Sequence, residues 1–322
     1  MSEPKQTTLG HAEVGAGGVT GATDEPEDVA GSQNSLWSDA WRQLRRNVLF
    51  WIGAALGLLF IAMALFPSVL ARGVDPRSCN LANSSAAPSA EHWFGFDQQG
   101  CDYLSNVVHG ARNSLIIGVL AVLFILVLGV VVGAIAGFYG GLTDSILSRV
   151  ADIFYALPLI LGALVLLRVG PSTDLPVISD RGAGAVAIAL AAFGWMTAMR
   201  LVRSQVIAVR SSDYVAAARA MGASDIRILL RHILPNAVAP VLVYATITVG
   251  ILIAAEATLT FLGVGLQRPA ISWGLQINDG QNLLRTAPHI VLFPSAVLTM
   301  TVMAFILMGD ALRDALDPKQ RS

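Results

Sequence analysis

Charge is scarce in this sequence. Only 13% of its 322 residues are Asp, Glu, Lys or Arg, while 54% are hydrophobic. A soluble chain carries about 25% charged residues. The sequence therefore lacks the polar surface that a water-soluble fold of this length needs, and lipid is the natural alternative solvent. Cysteine and histidine are also few. Cys79 and Cys101 form no CxxC pair, and the five histidines stand singly, a poor basis for a zinc or iron–sulfur site. No G-x-x-x-x-G-K-[ST] run occurs, so the chain has no phosphate-binding loop for ATP. A Ser/His/Asp set or carboxylate pair suited to catalysis is not evident. The net charge of −1 comes without a basic block, which gives nucleic acid no footing.

The sequence does contain long uncharged runs. Val48–Ala71 is the first, preceded by Trp41, Arg42, Arg45 and Arg46. It exceeds the ~20 residues a spanning helix needs, and Trp and Arg suit a membrane interface. Ser114–Thr143 is the second. Its Gly129, Gly133 and Gly137 recur every fourth residue. They form either a small-residue face for close helix packing or simply a glycine-tolerant span. Ile153–Leu167 is marginally long and is expected to begin earlier, taking in Arg149 and Asp152. Gly182–Met199, Ile233–Ala255 and Thr286–Gly309 complete six spans. The apolar stretch Ala257–Leu266 is too short to cross and reads as re-entrant or interfacial. Before the first span, Met1 to about Ser38 carries almost no large apolar side chain and reads as disordered. Its polar stretch is too long for a signal peptide.

The polar segment Arg72–Arg112 is too long for a tight hairpin and is expected to form a small structured cap. Arg and Lys set the orientation. Arg200, Arg203, Arg210, Arg219, Arg227 and Arg231 lie between the fourth and fifth spans. Arg42, Arg45 and Arg46 precede the first span, and Arg313, Lys319 and Arg321 follow the last. The opposite loops hold fewer: Arg72, Arg77, Arg112, Arg168, Arg181, Arg268 and Arg285. Both termini and the Ser204–Arg231 loop are therefore expected in the cytoplasm, and the cap outside.

The loop after the fourth span reads as two short helices with a break. Ser212 or Asp213 can cap the first, the alanines favour it, and Gly222 can end it in a left-handed conformation. Ser224 can cap the second, Asp225 sits in its first turn, and Pro235 marks its end or a kink into the fifth span. Ala217, Ala218 and Met221 would give a slim, flat side. That side could lie in a groove of another protein, or the loop could be an ordinary connector on the bilayer surface.

Tyr214–Asn236 resembles the Glu-Ala-Ala loop of ABC importer permeases. Ala217, Ala218, Gly222, Leu234 and Pro235 match that pattern, while Ala216 stands where the family has Glu. Asp213, Arg219, Ser224, Arg227 and His232–Asn236 resemble the dipeptide/oligopeptide branch. So do Trp93–Asp97, Gly110–Leu115, Tyr139–Gly141 with Asp144, Glu256–Ala257, Phe261–Gly265 and Ser272–Gly274. Nickel permeases share most of these motifs. The resemblance implies an all-α type I permease fold in a bacterial cytoplasmic membrane. It implies a tail over 1–38, a first helix and cap over 39–112, a permease domain over 113–310 with a coupling loop over 204–236, and a tail over 311–322. Asp213, Ala217, Ala218, Arg219, Gly222, Ser224, Leu234 and Pro235 would form the coupling surface for an ATPase. The missing Glu puts a salt bridge there in question, though not docking.

No cofactor is expected in this chain, and ATP and Mg²⁺ would be bound by partner subunits. The partners would be a homologous second permease, two ATP-binding subunits, an extracytoplasmic binding protein and a peptide. Two other classes remain open. An ion-coupled carrier would want ionisable groups at the centres of the spans, and a membrane-embedded enzyme would want clustered His, Asp or Ser at one depth. Ionisable residues near the membrane are functional candidates. Among Arg149, Asp152, Asp310 and Glu256, the last sits at the outer end of the fifth span, where substrate would enter; a solvated interfacial carboxylate is the alternative. Arg149 and Asp152 can pair on one helix face. Cys79 and Cys101 both fall in the cap, in a compartment that permits disulfides; the alternative is two buried free thiols.

Overall fold

The computed structural model describes residues 36–170 and 182–316. The expected disordered tail, up to residue 35, lies outside the described residues, as do Arg181, Lys319 and Arg321. The described residues are helical, with isolated bridges but no strands. Four helices are long and apolar enough to cross a membrane, or six when each of two bent helix pairs is counted as one span.

A short amphipathic helix, α1 (Leu36–Leu44), precedes α2 (Val48–Leu65), which Asn47 caps through its side chain. Helix α2 is apolar on every side and leaves Leu49, Ile52, Leu58 and Leu59 exposed, the pattern of a helix that meets lipid or another chain rather than water. A four-residue helix, α3 (Pro67–Leu70), leads into the cap.

Helix α4 (Tyr103–Tyr139) is the spine of the bundle and packs against most of the other spans. It begins eleven positions before the expected Ser114, because the Asp102 side chain accepts a hydrogen bond from Ser105 N and supplies the first-turn cap. It ends at Gly140, whose φ of +67° halts the helix.

The third and fourth spans are bent rather than straight. Helices α5 (Gly141–Tyr155) and α6 (Leu159–Val169) meet at 81°, and α7 (Ala183–Ala192) and α8 (Trp195–Arg210) at 52°. Pro158 causes the first break, since it has no N–H to donate and pushes its predecessor out of the helical region. At the second, Gly194 sits where a Cβ would collide with Ile125.

The glycine stripe of α4 is a packing face. A Cβ at Gly129 would strike Ala198, one at Gly133 would strike the Met199 carbonyl, and one at Gly137 would strike Arg203 and Val206. The backbones of α4 and α8 thus touch. Two ion pairs fasten α5 to α8: Arg203 Nε–Asp144 Oδ1 at 2.5 Å, with Nη2–Oδ2 at 2.7 Å, and Arg200–Asp152 at 2.7 Å. Asp152 therefore pairs across helices with Arg200, not along its own helix with Arg149. Arg210 donates to the Gly137 and Phe138 carbonyls, closing the C-terminus of α4.

The fifth span, α11 (Leu234–Phe261), runs past the expected end at Ala255 and through Glu256, so Ala257–Phe261 is its last turn rather than a re-entrant segment. A linker then reaches α12 (Trp273–Gly280), a short helix wedged against α4, α11 and the final span, α13 (His289–Leu316).

The cap is structured as expected. Cys79 and Cys101 are joined by a disulfide. Ser105 Oγ donates to Val74 O at 2.6 Å, and the Phe94 and Phe293 rings stack at 3.9 Å, holding the cap to the bundle. Its last expected residues, from Tyr103, belong to α4.

Two outcomes test this packing. Gly133→Val is expected to lower the stability of the purified protein by about 1–3 kcal/mol through overpacking, read as a drop in its thermal midpoint, whereas Gly184→Ala, which meets no atom within 4 Å, leaves it unchanged. Cys79→Ser is expected to cost roughly 3 kcal/mol, given that the bridge spans 22 positions. In the unaltered protein, thiol labelling after denaturation without reductant is expected to mark neither cysteine.

Candidate functional site

Two regions concentrate the residues singled out from the sequence. The first joins α8 to α11. Helix α9 (Asp213–Ala220) follows a turn at Ser212. Ala223 N bonds back to Ala218 O at 3.1 Å across Gly222, whose φ is +80°. This is a helix stop closed by a six-to-one bond, which needs a left-handed residue at that position. A second short helix, α10 (Asp225–Ile228), runs into a π turn over Leu229–Ile233. Pro235 lacks the N–H that would bond the Arg231 carbonyl, and the widened turn adjoins that gap. Ser212 and Ser224 occupy the N-cap positions as expected, but neither side chain caps its helix; Ser212 Oγ donates instead to Val209 O.

The connector has two faces. Val215, Ala218, Ile228 and Ile233 are buried against Ala134 and Phe138 of α4 and Val202 and Val206 of α8. The outer face leaves Met221 82%, Ile226 68% and Leu230 60% exposed, and Tyr214 is exposed as well. The expected flat side is therefore split: Ala217 and Met221 point outward, and Ala218 anchors inward. Asp213, Arg219, Ser224 and Pro235 are exposed, Leu234 is half-buried, and Gly222 is open on its outer side. Asn236 bridges the segment by donating to Tyr214 Oη and to His232 O. Ile226 and Leu230 were not singled out from the sequence, although their four-residue spacing on one helical face was a usable signal.

The second region surrounds Glu256. The side chain is wholly buried in the last turns of its span, which rules out a solvated interfacial carboxylate. Thr260 Oγ1 donates to Glu256 Oε1 at 2.9 Å, and the same hydroxyl accepts from Leu266 N at 3.1 Å. Ser114 and Ser272 face the carboxyl group, while Oε2 makes no hydrogen bond. Around this point α12 and the linker before it are tied to α4 by side-chain hydrogen bonds. Trp273 Nε1 donates to Val107 O at 2.9 Å, Gln276 Nε2 to Asn106 O at 2.7 Å, and Asn113 Nδ2 to Ile271 O at 2.7 Å. Gly110 permits this contact, since a Cβ there would meet Gln276 and Trp273, while a Cβ on Gly274 would meet Ala257 and Thr260 of α11. The sequence marked Glu256 and Ser272-Trp273-Gly274 separately; the structure brings them together. Among the described residues, no group of three or more His, Cys, Asp or Glu is placed to hold a metal ion.

Comparison with known proteins identifies the family. Residues 129–322 match the model of the binding-protein-dependent transport system inner membrane component, and residues 35–88 match that of the N-terminal transmembrane domain of oligopeptide transport permease C. The chain is 39% identical over 297 residues to an oligopeptide transport system permease protein of Bacillus subtilis, covering 92% of this chain and 94% of that one. It is 41% identical over 290 residues to a dipeptide transport system permease protein of Alkalihalophilus pseudofirmus, covering 89% and 91%. It is 36% identical over 291 residues to a glutathione transport system permease protein of Pectobacterium atrosepticum, covering 90% and 94%. With its apolar helices, the chain is a multi-pass protein of the cytoplasmic membrane. It belongs to the family of binding-protein-dependent transport system inner membrane components.

Proposed function

We propose that this chain is the permease subunit of an ATP-driven ABC importer for dipeptides or oligopeptides, coupled to separate ATPase subunits through the α9–α10 connector. The observation that carries the reading is the exposure of Tyr214, Met221, Ile226 and Leu230 on a segment whose buried residues pack into α4 and α8. These large apolar side chains are interspersed in the sequence with the exposed Arg219, Arg227 and Arg231, a mixture that suits a protein partner better than lipid. A rigid base lets such a partner push on the helices behind it. Met221 and Ile226 supply apolar contact, so docking does not need the family Glu that Ala216 replaces.

In this reading both termini and the connector lie in the cytoplasm, following the arginine bias, and the disulfide-closed cap lies outside. Two ATP-binding subunits supply ATP and Mg²⁺. A homologous second permease completes the passage, and an extracytoplasmic binding protein delivers the peptide. The permease itself carries no catalytic residue; nucleotide-driven closure of the ATPases moves the connectors and alternates the passage between outward- and inward-open forms. The relatives are named for oligopeptides, dipeptides and glutathione, all short peptides, which favours that cargo over nickel.

Glu256 acts in this scheme from inside the helix packing. It joins α11 to the linker through Thr260 and faces Ser114 on α4 and Ser272 at the start of α12. It therefore fixes how these elements sit along the route rather than meeting substrate at its mouth.

Met221→Asp and Ile226→Asp are expected to leave the permease folded, since both side chains are exposed, and to cut peptide uptake about ten-fold or more by placing charge in an apolar interface. Uptake assays with co-purification of the ATPase subunits check this; wild-type uptake and recovery would dismiss the docking surface. Glu256→Ala removes the acceptor of the Thr260 hydroxyl and opens a void. It is expected to cost about 1–3 kcal/mol, seen as a lower thermal midpoint, whereas Glu256→Gln keeps an acceptor and most of the stability. An alanine variant that melts like the wild type would show that the carboxyl group ties nothing together.

A further inference from the structure

A cavity of about 330 Å³ opens between the cap and the α11–α12 linker. Its volume is at the small end for ligand pockets and suits a molecule of dipeptide size. The disulfide forms part of its wall, as do Tyr103 and Gln276. Four charged side chains line it, and they are not equivalent. Arg268 and Asp279 neutralise one another through a 2.5 Å ion pair. Asp97 and Arg77 have no such partner.

Asp97 is half-buried. Its Oδ1 accepts from Gln99 N at 2.9 Å and Cys101 N at 2.8 Å, which fixes the carboxyl group against the loop. Its Oδ2 makes no hydrogen bond among the described residues. Burial pushes this carboxyl above its ordinary value despite the two backbone donors, and the other charges acting on it are Arg268 and Asp279, which already cancel each other. The site therefore holds a carboxylate short of positive charge. Arg77 is exposed at the cavity wall; its backbone N–H bonds Asp75, but its guanidinium makes no ion pair or hydrogen bond among the described residues. One cavity thus presents an anion short of partners, held on the disulfide-closed loop, and a cation without an ion pair among the described residues, two positions before Cys79. Their complement is a short molecule with an ammonium at one end and a carboxylate at the other.

We propose that this cavity is an outer subsite for a zwitterionic short peptide, whose amino terminus pairs with Asp97 and whose carboxylate pairs with Arg77. The inference deepens the peptide-import reading, on which it rests, by giving this subunit a direct contact with cargo on the outer side. Tyr103 and Gln276 line the same cavity and offer polar groups to the peptide backbone. Charge-assisted hydrogen bonds at both ends reward free termini, so the subsite favours short uncapped peptides over longer chains and over molecules lacking either charge.

The test uses the assembled transporter in lipid nanodiscs, without its extracytoplasmic binding protein, titrated calorimetrically with alanyl-alanine, N-acetyl-alanyl-alanine and alanyl-alanine amide. Alanyl-alanine is expected to bind, and each capped form to bind about ten-fold more weakly, the loss of one charged contact. Arg77→Gln is expected to weaken alanyl-alanine about ten-fold and to leave the amide unchanged. That exposed, unpaired residue carries no folding role, so the variant remains informative if Asp97→Asn disturbs its loop. Equal binding of the three probes, no binding of alanyl-alanine, or an Arg77→Gln transporter that binds as before would each overturn the subsite. Alanyl-alanine uptake by cells is measured alongside. Uptake without Arg77-dependent binding removes the subsite and leaves the import reading standing; absent peptide uptake by the unaltered transporter removes the import reading instead.

Discussion

Backbone contact between α4 and α8 is the constraint on which the rest of the structure depends. Lipid gives apolar helices no hydrophobic reason to associate, so association rests on close packing and on hydrogen bonds. Gly129, Gly133 and Gly137 let the two backbones meet, and Arg210 then reaches the last carbonyls of α4. The Arg203–Asp144 and Arg200–Asp152 pairs bring α5 onto the same frame. Because α8 runs directly into the connector, its seating on α4 also fixes where Val215, Ala218 and Ile228 can anchor.

The other end of α4 organises the opposite face of the molecule. Its first turns carry Ser105 and Asn106, which bond the cap, Val107 and Gly110, which receive α12, and Asn113, which bonds the linker before α12. One helix 37 residues long thus links the cap cavity and the Glu256 cluster to the base of the connector. A rigid element with polar attachments at both ends can transmit a push from one face as a shift at the other. The bent pairs α5–α6 and α7–α8 flank it, and their breaks at Pro158 and Gly194 are places where such a shift can be absorbed.

Much of the membrane architecture was legible in the sequence. Apolar run length gave the spans, and the interfacial Trp and Arg marked where the first one starts. The Gly222 break was readable because few residues other than glycine tolerate a positive φ. The boundaries were less so. Tyr103–Asn113 carries enough polar residues to read as cap, yet it is helix, because Asp102 caps it and the cap and α12 satisfy its side chains. Ala257–Phe261 read as a separate segment because Glu256 interrupts the hydropathy, although the backbone continues unbroken and the carboxyl group is sheltered by Thr260.

What the sequence determined alone is local: which stretches are apolar enough to enter lipid, where a helix must stop, and which family the motifs resemble. These follow from hydropathy and from backbone sterics, which act within a few residues. The tertiary structure decided what depends on distant partners. It turned Ala218 inward and Met221 outward, gave Asp152 to Arg200 instead of Arg149, and buried Glu256 beneath α12. It also set the unpaired Asp97 and Arg77 around one cavity while Arg268 and Asp279 neutralised each other. Those outcomes turn on which side chains meet across tens or hundreds of positions, a matter that periodicity and composition do not encode.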